Sequence, residues 1–318
     1  MTLHADGYTF VLDDDVTRTP VRYQNRYGIE IAADLYRRKD LDESTDHAAI
    51  VIGPPHGGVK EQGPGVYAQE LARRGFVAIG FDPSYNGESS GEPRHITSPE
   101  LFAEDFSAGV DFLGTLPYVD RERIGALGIC GSGGFALNAA QVDTRIKAVA
   151  TAAMYDISGL HRNGWQDSQG DDERQKALQD LASQRWKDVD AGEPELTPVF
   201  PDEIPADGLD PITSEFFEYY VTERGHHPRS IGGFTVTSAM SHINFGAVGH
   251  LEDIAPRPIL LITGDQAHSR HFSETVNEQA PGPKDLVVVP GARHIDLYDR
   301  TDLIPFDRLE TFFAANLA

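Results

Sequence analysis

The run Arg123-Ile-Gly-Ala-Leu-Gly-Ile-Cys-Gly-Ser-Gly-Gly134 passes from β-rich residues through a glycine-dense turn into the small-residue stretch Gly133 to Val142. This reads as strand, sharp turn, helix, the setting of a nucleophile elbow. Such a turn needs small residues two before and two after the nucleophile, because its backbone is strained and neighbouring chain comes close. Gly128 and Ser132 meet that requirement around Cys130. A frame centred on Ser132, flanked by Cys130 and Gly134, also fits by residue size but carries the strand through Cys130 and Gly131. The spacing therefore favours Cys130, with Ser132 as the alternative nucleophile. A phosphate-binding turn is disfavoured, since no Lys-Ser/Thr ending follows the glycines and the dinucleotide spacing fails.

Outward from this turn, short β-rich runs alternate with amphipathic helices, a pattern that predicts a mostly parallel sheet flanked by helices. Val21 to Arg26 and Ile29 to Tyr36 straddle Gly28 as an antiparallel pair, and Ala48 to Gly53 and Phe76 to Asp82 read as buried strands. A helix over Gln62 to Arg74 is closed by Gly75. Ser98, Pro99 and Glu100 predict a hydroxyl-capped helix start. Ile146 to Ala153, Pro258 to Thr263 and Asp285 to Val289 complete the strands, and Pro305 to Asn316 is an amphipathic helix. The alternation breaks between about 155 and 251, where Leu178, Leu181, Ala182, Trp186 and Val189 form a helical stripe and Gly192 to Pro211 reads as a loop. The expected organisation is a core of residues 1–154 and 252–318 interrupted by a largely helical cap insertion, 155–251.

An elbow nucleophile requires a base, an acid that orients it, and two N–H donors for an oxyanion. His294, after the strand ending at Val289 and the Pro290-Gly291 turn, is the expected base; His56, His268 and His271 are weaker competitors. The acid belongs on the loop Gly264-Asp-Gln-Ala-His268, but its usual place, three residues past the glycine, holds Ala267. Asp265 is the favoured substitute and Asp296 the alternative. Gly131 supplies one donor, and the loop Pro54-Pro55-His56-Gly57-Gly58 supplies the other from Gly57 or Gly58. A thiol at Cys130 gains from the helix N-terminus behind it, which favours the thiolate.

Composition bounds the rest. Fifty Asp and Glu against 27 Lys and Arg give a formal charge of -23, which argues against nucleic-acid partners and for a well-solvated surface. Charged residues interrupt every apolar stretch, so no membrane span is expected, and Met1 to Asp15 lacks the positive start and apolar run of an export signal. A cytoplasmic protein is the expectation. One cysteine excludes an internal disulfide and a thiolate zinc cage. No His-Glu-x-x-His helix is present, and no metal or cofactor is implied. A homo-oligomer remains compatible with the sequence.

The blocks Gly53-Pro-Pro-His-Gly-Gly-Val-Lys-Glu-Gln62, Phe81-Asp-Pro-Ser-Tyr-Asn-Gly-Glu-Ser-Ser-Gly-Glu-Pro93, Gly128-Ile-Cys-Gly-Ser-Gly-Gly134, Ala267-His-Ser269 and Gly291-Ala-Arg-His-Ile-Asp-Leu-Tyr-Asp299 resemble the α/β-hydrolase superfamily, in its dienelactone-hydrolase-like branch with cysteine at the elbow. The elbow is also similar to that of fungal polyketide transferases. The resemblance implies an α/β-hydrolase fold and an acyl-transfer hydrolase acting on a small ester, thioester or lactone. Its catalytic group would be a Cys-His-Asp triad of Cys130, His294 and the acid on the Asp265 loop, with an oxyanion hole near Gly57, Gly58 and Gly131. Two other readings stay open: an acyltransferase that passes the acyl group to an alcohol or amine, and a non-catalytic binding protein whose pocket is lined by Tyr155, Trp165, Trp186, Phe217, Tyr219 and Tyr220.

Overall fold

The computed structural model describes His4 and residues 7–318; of the Met1 to Asp15 stretch, residues 1–3, 5 and 6 lie outside the described residues. One eight-stranded sheet runs β1 (Val16–Gln24), β2 (Glu30–Arg38), β4 (Val77–Phe81), β3 (His47–Gly53), β5 (Val119–Ile129), β6 (Ile146–Ala152), β7 (Ile259–Gly264), β8 (Lys284–Val289) from edge to edge. The β1/β2 and β2/β4 pairs are antiparallel and all others parallel. Burial follows position in this order. Every residue of β4 and β7 is buried, as strands covered on both faces require, while edge strand β1 alternates.

Helices α1 (Gly63–Arg73), α2 (Pro99–Leu113) and α3 (Gly131–Val142) connect the central strands. Phe102, Phe106, Val110 and Leu113 of α2 are buried in the core, as their spacing predicts. Ser98 takes the extended N-cap backbone, but its side chain makes no capping bond; Pro99 alone presets the first turn. After β6 come α4 (Ile157–Asn163), α5 (Asp171–Ala191), α6 (Pro211–Tyr220) and α7 (Ala239–Asn244). The stripe expected on α5 does not face a core. Leu181 is buried, but Trp186 and Val189 are 72% and 69% exposed, because α5 stands away from the sheet and charged residues surround it. Helix α8 (Arg270–Gln279), which buries Ser273 and Val276 on one face, links β7 to β8, and α9 (Asp296–Asp299) and α10 (Phe306–Asn316) close the chain. Among the described residues, no helix is long and apolar enough to cross a membrane.

The topology fixes the site. From β3 the chain passes to β4 on one side, then crosses to β5 on the other, so the loops leaving β3 and β5 diverge at a switch point, where α/β sheets form their crevice. Gly53 and Gly128 are paired in register at that edge, and Cys130 and His56 follow them directly. A Cβ on Gly128 would lie 2.0 Å from the Ser132 carbonyl oxygen, so side-chain-free backbone is what lets α3 turn back over β5. Gly128→Ala is expected to cost about 1–3 kcal/mol, read as a lowered thermal midpoint. Gly246→Ala, where the nearest atom to a new Cβ is 3.8 Å away, is expected to stay within about 0.5 kcal/mol.

Candidate active site

Cys130 sits between β5 and α3 with φ 53° and ψ −121°, a conformation that L-residues rarely adopt. Three backbone bonds hold it there: Cys130 N–H donates to Ala152 O at 2.9 Å, and its carbonyl accepts from Gly133 N–H at 2.8 Å and Tyr155 N–H at 2.9 Å. Strain of this kind costs on the order of 1–3 kcal/mol and persists only where surrounding structure over-determines it. Ser132 lies in the first turn of α3. Its Oγ packs over Gly53, 2.8 Å from where a Cβ would stand, on the sheet side of the turn.

The Cys130 sulfur is met by the backbone N–H groups of His56 and Gly131 and by the Tyr298 hydroxyl. Gly131, expected beside the sulfur, is one of these neighbours, and the other backbone N–H there is that of His56. The Gly58 N–H donates to Pro55 O at 2.7 Å, and Gly57 takes the left-handed position of the turn (φ 87°) while its carbonyl accepts from Ser230 Oγ at 2.7 Å. The His56 ring anchors this loop, stacked on Phe234 at 4.1 Å, with Nε2 2.7 Å from Thr97 Oγ1, which is in turn 3.0 Å from His242 Nε2. Burial pushes the Cys130 thiol above its ordinary pKa; the three hydrogen-bonding neighbours pull it down without offsetting that effect.

His294 is fully buried. Its Nδ1 lies 2.7 Å from Ser269 Oγ and its Nε2 2.9 Å from the Tyr298 hydroxyl. Burial, reinforced by neighbouring His268, holds the imidazole well below its usual pKa. The structure brings neither expected aspartate to the ring. Asp265 N–H continues the β7/β8 pairing by donating to Val289 O, which leaves its exposed carboxylate at the β8 turn, accepting from Gly291 N–H at 2.7 Å. Asp296 is held by Arg293 N–H at 3.0 Å and Arg224 at 3.1 Å. Ser269 is the residue that sequence reasoning missed. It stands at the N-cap of α8, where serine ordinarily caps the helix, yet its hydroxyl makes no capping bond and turns to His294. His268 packs at a tilt against His294 with ring centroids 4.6 Å apart and its Nδ1 3.2 Å from Glu215, and His271 packs on Phe272.

Above the sulfur lies a cavity of about 320 Å³ lined by His56, Cys130, Tyr155, Ile157, Leu160, Trp165, Ile212 and Phe216. Two local signals build its roof. Asp156 caps α4 through Gly159 N–H, presenting Ile157 and Leu160; Asp210 caps α6 through Ile212 and Thr213 N–H, with Pro211 in the first turn, presenting Ile212 and Phe216. Of the aromatic residues expected there, Tyr155 and Trp165 line the cavity. Tyr219 and Tyr220 pack against Tyr298, Phe217 packs against Phe200, and Trp186 faces solvent. Elsewhere, Glu61, Asp82 and Glu88 converge closely enough to share a cation, but Lys60 Nζ already occupies their centre, 3.2 Å from Asp82 and 2.8 Å from Glu88.

The model of the Dienelactone hydrolase family matches residues 31–169. Uncharacterized protein PA2218 of Pseudomonas aeruginosa is 49% identical over 312 residues, covering 97% of this chain and 83% of that protein. The chain belongs to the dienelactone hydrolase family. The crystal structure of PA2218 superposes on this family member with a TM-score of 0.94 at 48% identity, covering 99% of this chain and 98% of that one. Uncharacterized protein YcjY of Escherichia coli is 38% identical over 276 residues, 86% of this chain and 90% of its own. The polyketide transferase grgF of a Penicillium species is 26% identical over 235 residues, 72% of this chain and 74% of its own. Its crystal structure, described as an α/β hydrolase, shares the fold at a TM-score of 0.78 and 21% identity, covering 95% of this chain and 99% of that one. This dienelactone hydrolase family chain thus has the α/β-hydrolase fold.

The burial shifts have a direct consequence. A thiol raised and an imidazole lowered rest as an uncharged pair, so the thiolate should be absent near neutral pH and appear only above the ordinary thiol range, about 8.5. Ultraviolet thiolate absorbance of the single cysteine, measured against Cys130→Ala across pH, checks this. A thiolate signal already present near pH 6 would contradict it.

Proposed function

We propose that the protein is an acyl-cysteine enzyme for small esters, thioesters or lactones bearing an apolar acyl group. The observation that carries this reading is the placement of a lone cysteine at the strained switch-point turn, with two N–H donors at its sulfur and an aromatic-walled cavity above it. Cys130 attacks the carbonyl carbon. The His56 and Gly131 N–H groups receive the developing oxyanion, and His294 holds the proton released by the thiol and returns it to the leaving group. Water then releases the acid. The same thioester can give its acyl group to an alcohol or amine, the direction favoured by the name of grgF, a polyketide transferase. In this scheme Asp265 and Asp296 keep the loop and the ion-pair network in place, and His294 is oriented by a hydroxyl rather than a carboxylate.

Residues 155–251 act as the cap. Ile157, Leu160, Trp165, Ile212 and Phe216 of that segment roof the cavity, which lies at the small end of the roughly 300–1,000 Å³ range of ligand pockets. Medium acyl groups should therefore react faster than acetyl or long-chain ones.

Intact-protein mass after brief exposure to activated esters of graded acyl length tests the reading, with Cys130→Ala and Ser132→Ala alongside. The expected result is one acyl adduct, kept in Ser132→Ala and lost in Cys130→Ala. An adduct that persists in Cys130→Ala would overturn the assignment.

A further inference from the structure

Among the described residues, no hydrogen bond joins Cys130 to His294. What lies between them is the hydroxyl of Tyr298, 2.9 Å from His294 Nε2 and in contact with the Cys130 thiol. We propose that Tyr298 is a catalytic residue, the proton relay between the Cys130 thiol and His294, a role that rests on the acyl-cysteine reading above.

The local fold explains the placement. Tyr298 follows His294 by four residues, and the turn leading into α9, with Leu297 N–H to His294 O at 3.4 Å and Tyr298 N–H to Ile295 O at 3.0 Å, brings both side chains to one face. The Tyr298 ring is fully buried and set edge-on against Tyr219 at 5.3 Å, so its hydroxyl has little freedom to point elsewhere. Neighbouring Tyr67 shows the structural use of such a group: its hydroxyl donates to the Leu297 carbonyl at 2.7 Å and pins α9. Among the described residues Tyr298 makes no such backbone bond; its hydroxyl meets Cys130, His294 and the Tyr220 hydroxyl.

With Nδ1 protonated, His294 donates to Ser269 Oγ, its Nε2 accepts from the Tyr298 hydroxyl, and the Tyr298 oxygen is left to accept from the thiol. As the sulfur–carbon bond forms, the S–H proton passes to the Tyr298 oxygen while the Tyr298 proton passes to Nε2. The carbonyl π pair becomes the oxyanion at His56 and Gly131. When the intermediate collapses, the bond to the leaving group breaks and the imidazolium proton returns through the same hydroxyl to the departing atom. Tyr298 ends each step protonated, as a phenol held far above its ordinary pKa by burial must. Ser269 is the positioning residue that fixes this tautomer.

The test is single-turnover acylation of the full-length protein by an activated aryl ester, read as the burst of released phenol, in the wild type, Tyr298→Phe and Cys130→Ala. Tyr298→Phe keeps the ring and is expected to slow acylation at saturating ester by about 100-fold or more, with half-saturation unchanged within about twofold. A burst within about twofold of wild type in Tyr298→Phe, with none in Cys130→Ala, would overturn the relay and leave the acyl-cysteine reading standing. A burst retained in Cys130→Ala would overturn both. Should Tyr298→Phe fail to fold, fluorotyrosine at position 298 decides: acylation that changes with phenol acidity supports the relay, and an unchanged rate overturns it.

Discussion

The contact on which the site depends is the approach of the Ser132 carbonyl to the Cα of Gly128, where any Cβ would collide at 2.0 Å. That approach lets α3 start immediately after β5, and it forces the single residue between them, Cys130, into positive φ. A side chain held at such a turn stands clear of the sheet and points into the crevice that the strand order opens. The energy for it comes from elsewhere: β4 and β7, buried throughout, β3, buried from Ala48 onward, and the bonds that Cys130 donates to Ala152 O and accepts from Gly133 and Tyr155 N–H hold the turn in place. The strain is thus stored in the core and expressed at one sulfur.

Desolvation sets the electrostatics around that sulfur. Cys130, His294, Ser269 and Tyr298 are all buried, and among the described residues no carboxylate is bonded to the histidine. A thiolate–imidazolium pair would have to exist in a low-dielectric setting with only a hydroxyl at Nδ1, so the neutral pair is preferred until a carbonyl arrives to take the charge. In the proposed acylation, the two N–H groups at the sulfur would offer the new oxyanion what water would have offered the thiolate. The polar network outside this shell is anchored differently: Glu215 bonds both Ile295 N–H and His268, and Arg224 and Arg293 hold Asp296, tying α6 and the following turn to the loop that carries His294.

Most of the scaffold was legible because it rests on period and on punctuation. Buried strands announce themselves as short apolar runs, and Gly128, Cys130 and Ser132 announce the elbow by spacing alone. Where the reading failed, the missing information was the path of a loop or the presence of a packing partner. Asp265 stands after the correct strand, but one extra rung of β7/β8 pairing turns its carboxylate away. Ser269 carries no charge and sits where a cap is ordinary, so even within the block Ala267-His-Ser269 its side chain reads as a helix start. A second N–H donor was sought at Gly57 or Gly58, whereas the backbone N–H of that loop that meets the sulfur is that of His56. The nearness of Tyr298 to His294 could have been found, since a tyrosine four residues after a histidine shares its face whenever the segment turns helical. Trp186 shows the opposite error, a helical stripe with no core beneath it.

The account stands or falls on which atom meets the carbonyl carbon and where the oxygen goes. A crystal structure of the protein treated with a medium-chain alkyl aldehyde would display both. The prediction is a hemithioacetal on Cys130 Sγ, its oxygen within hydrogen-bond reach of the His56 and Gly131 N–H groups and its chain among Tyr155, Trp165 and Phe216. An adduct on Ser132 Oγ, or an oxygen directed away from those two N–H groups, would contradict it.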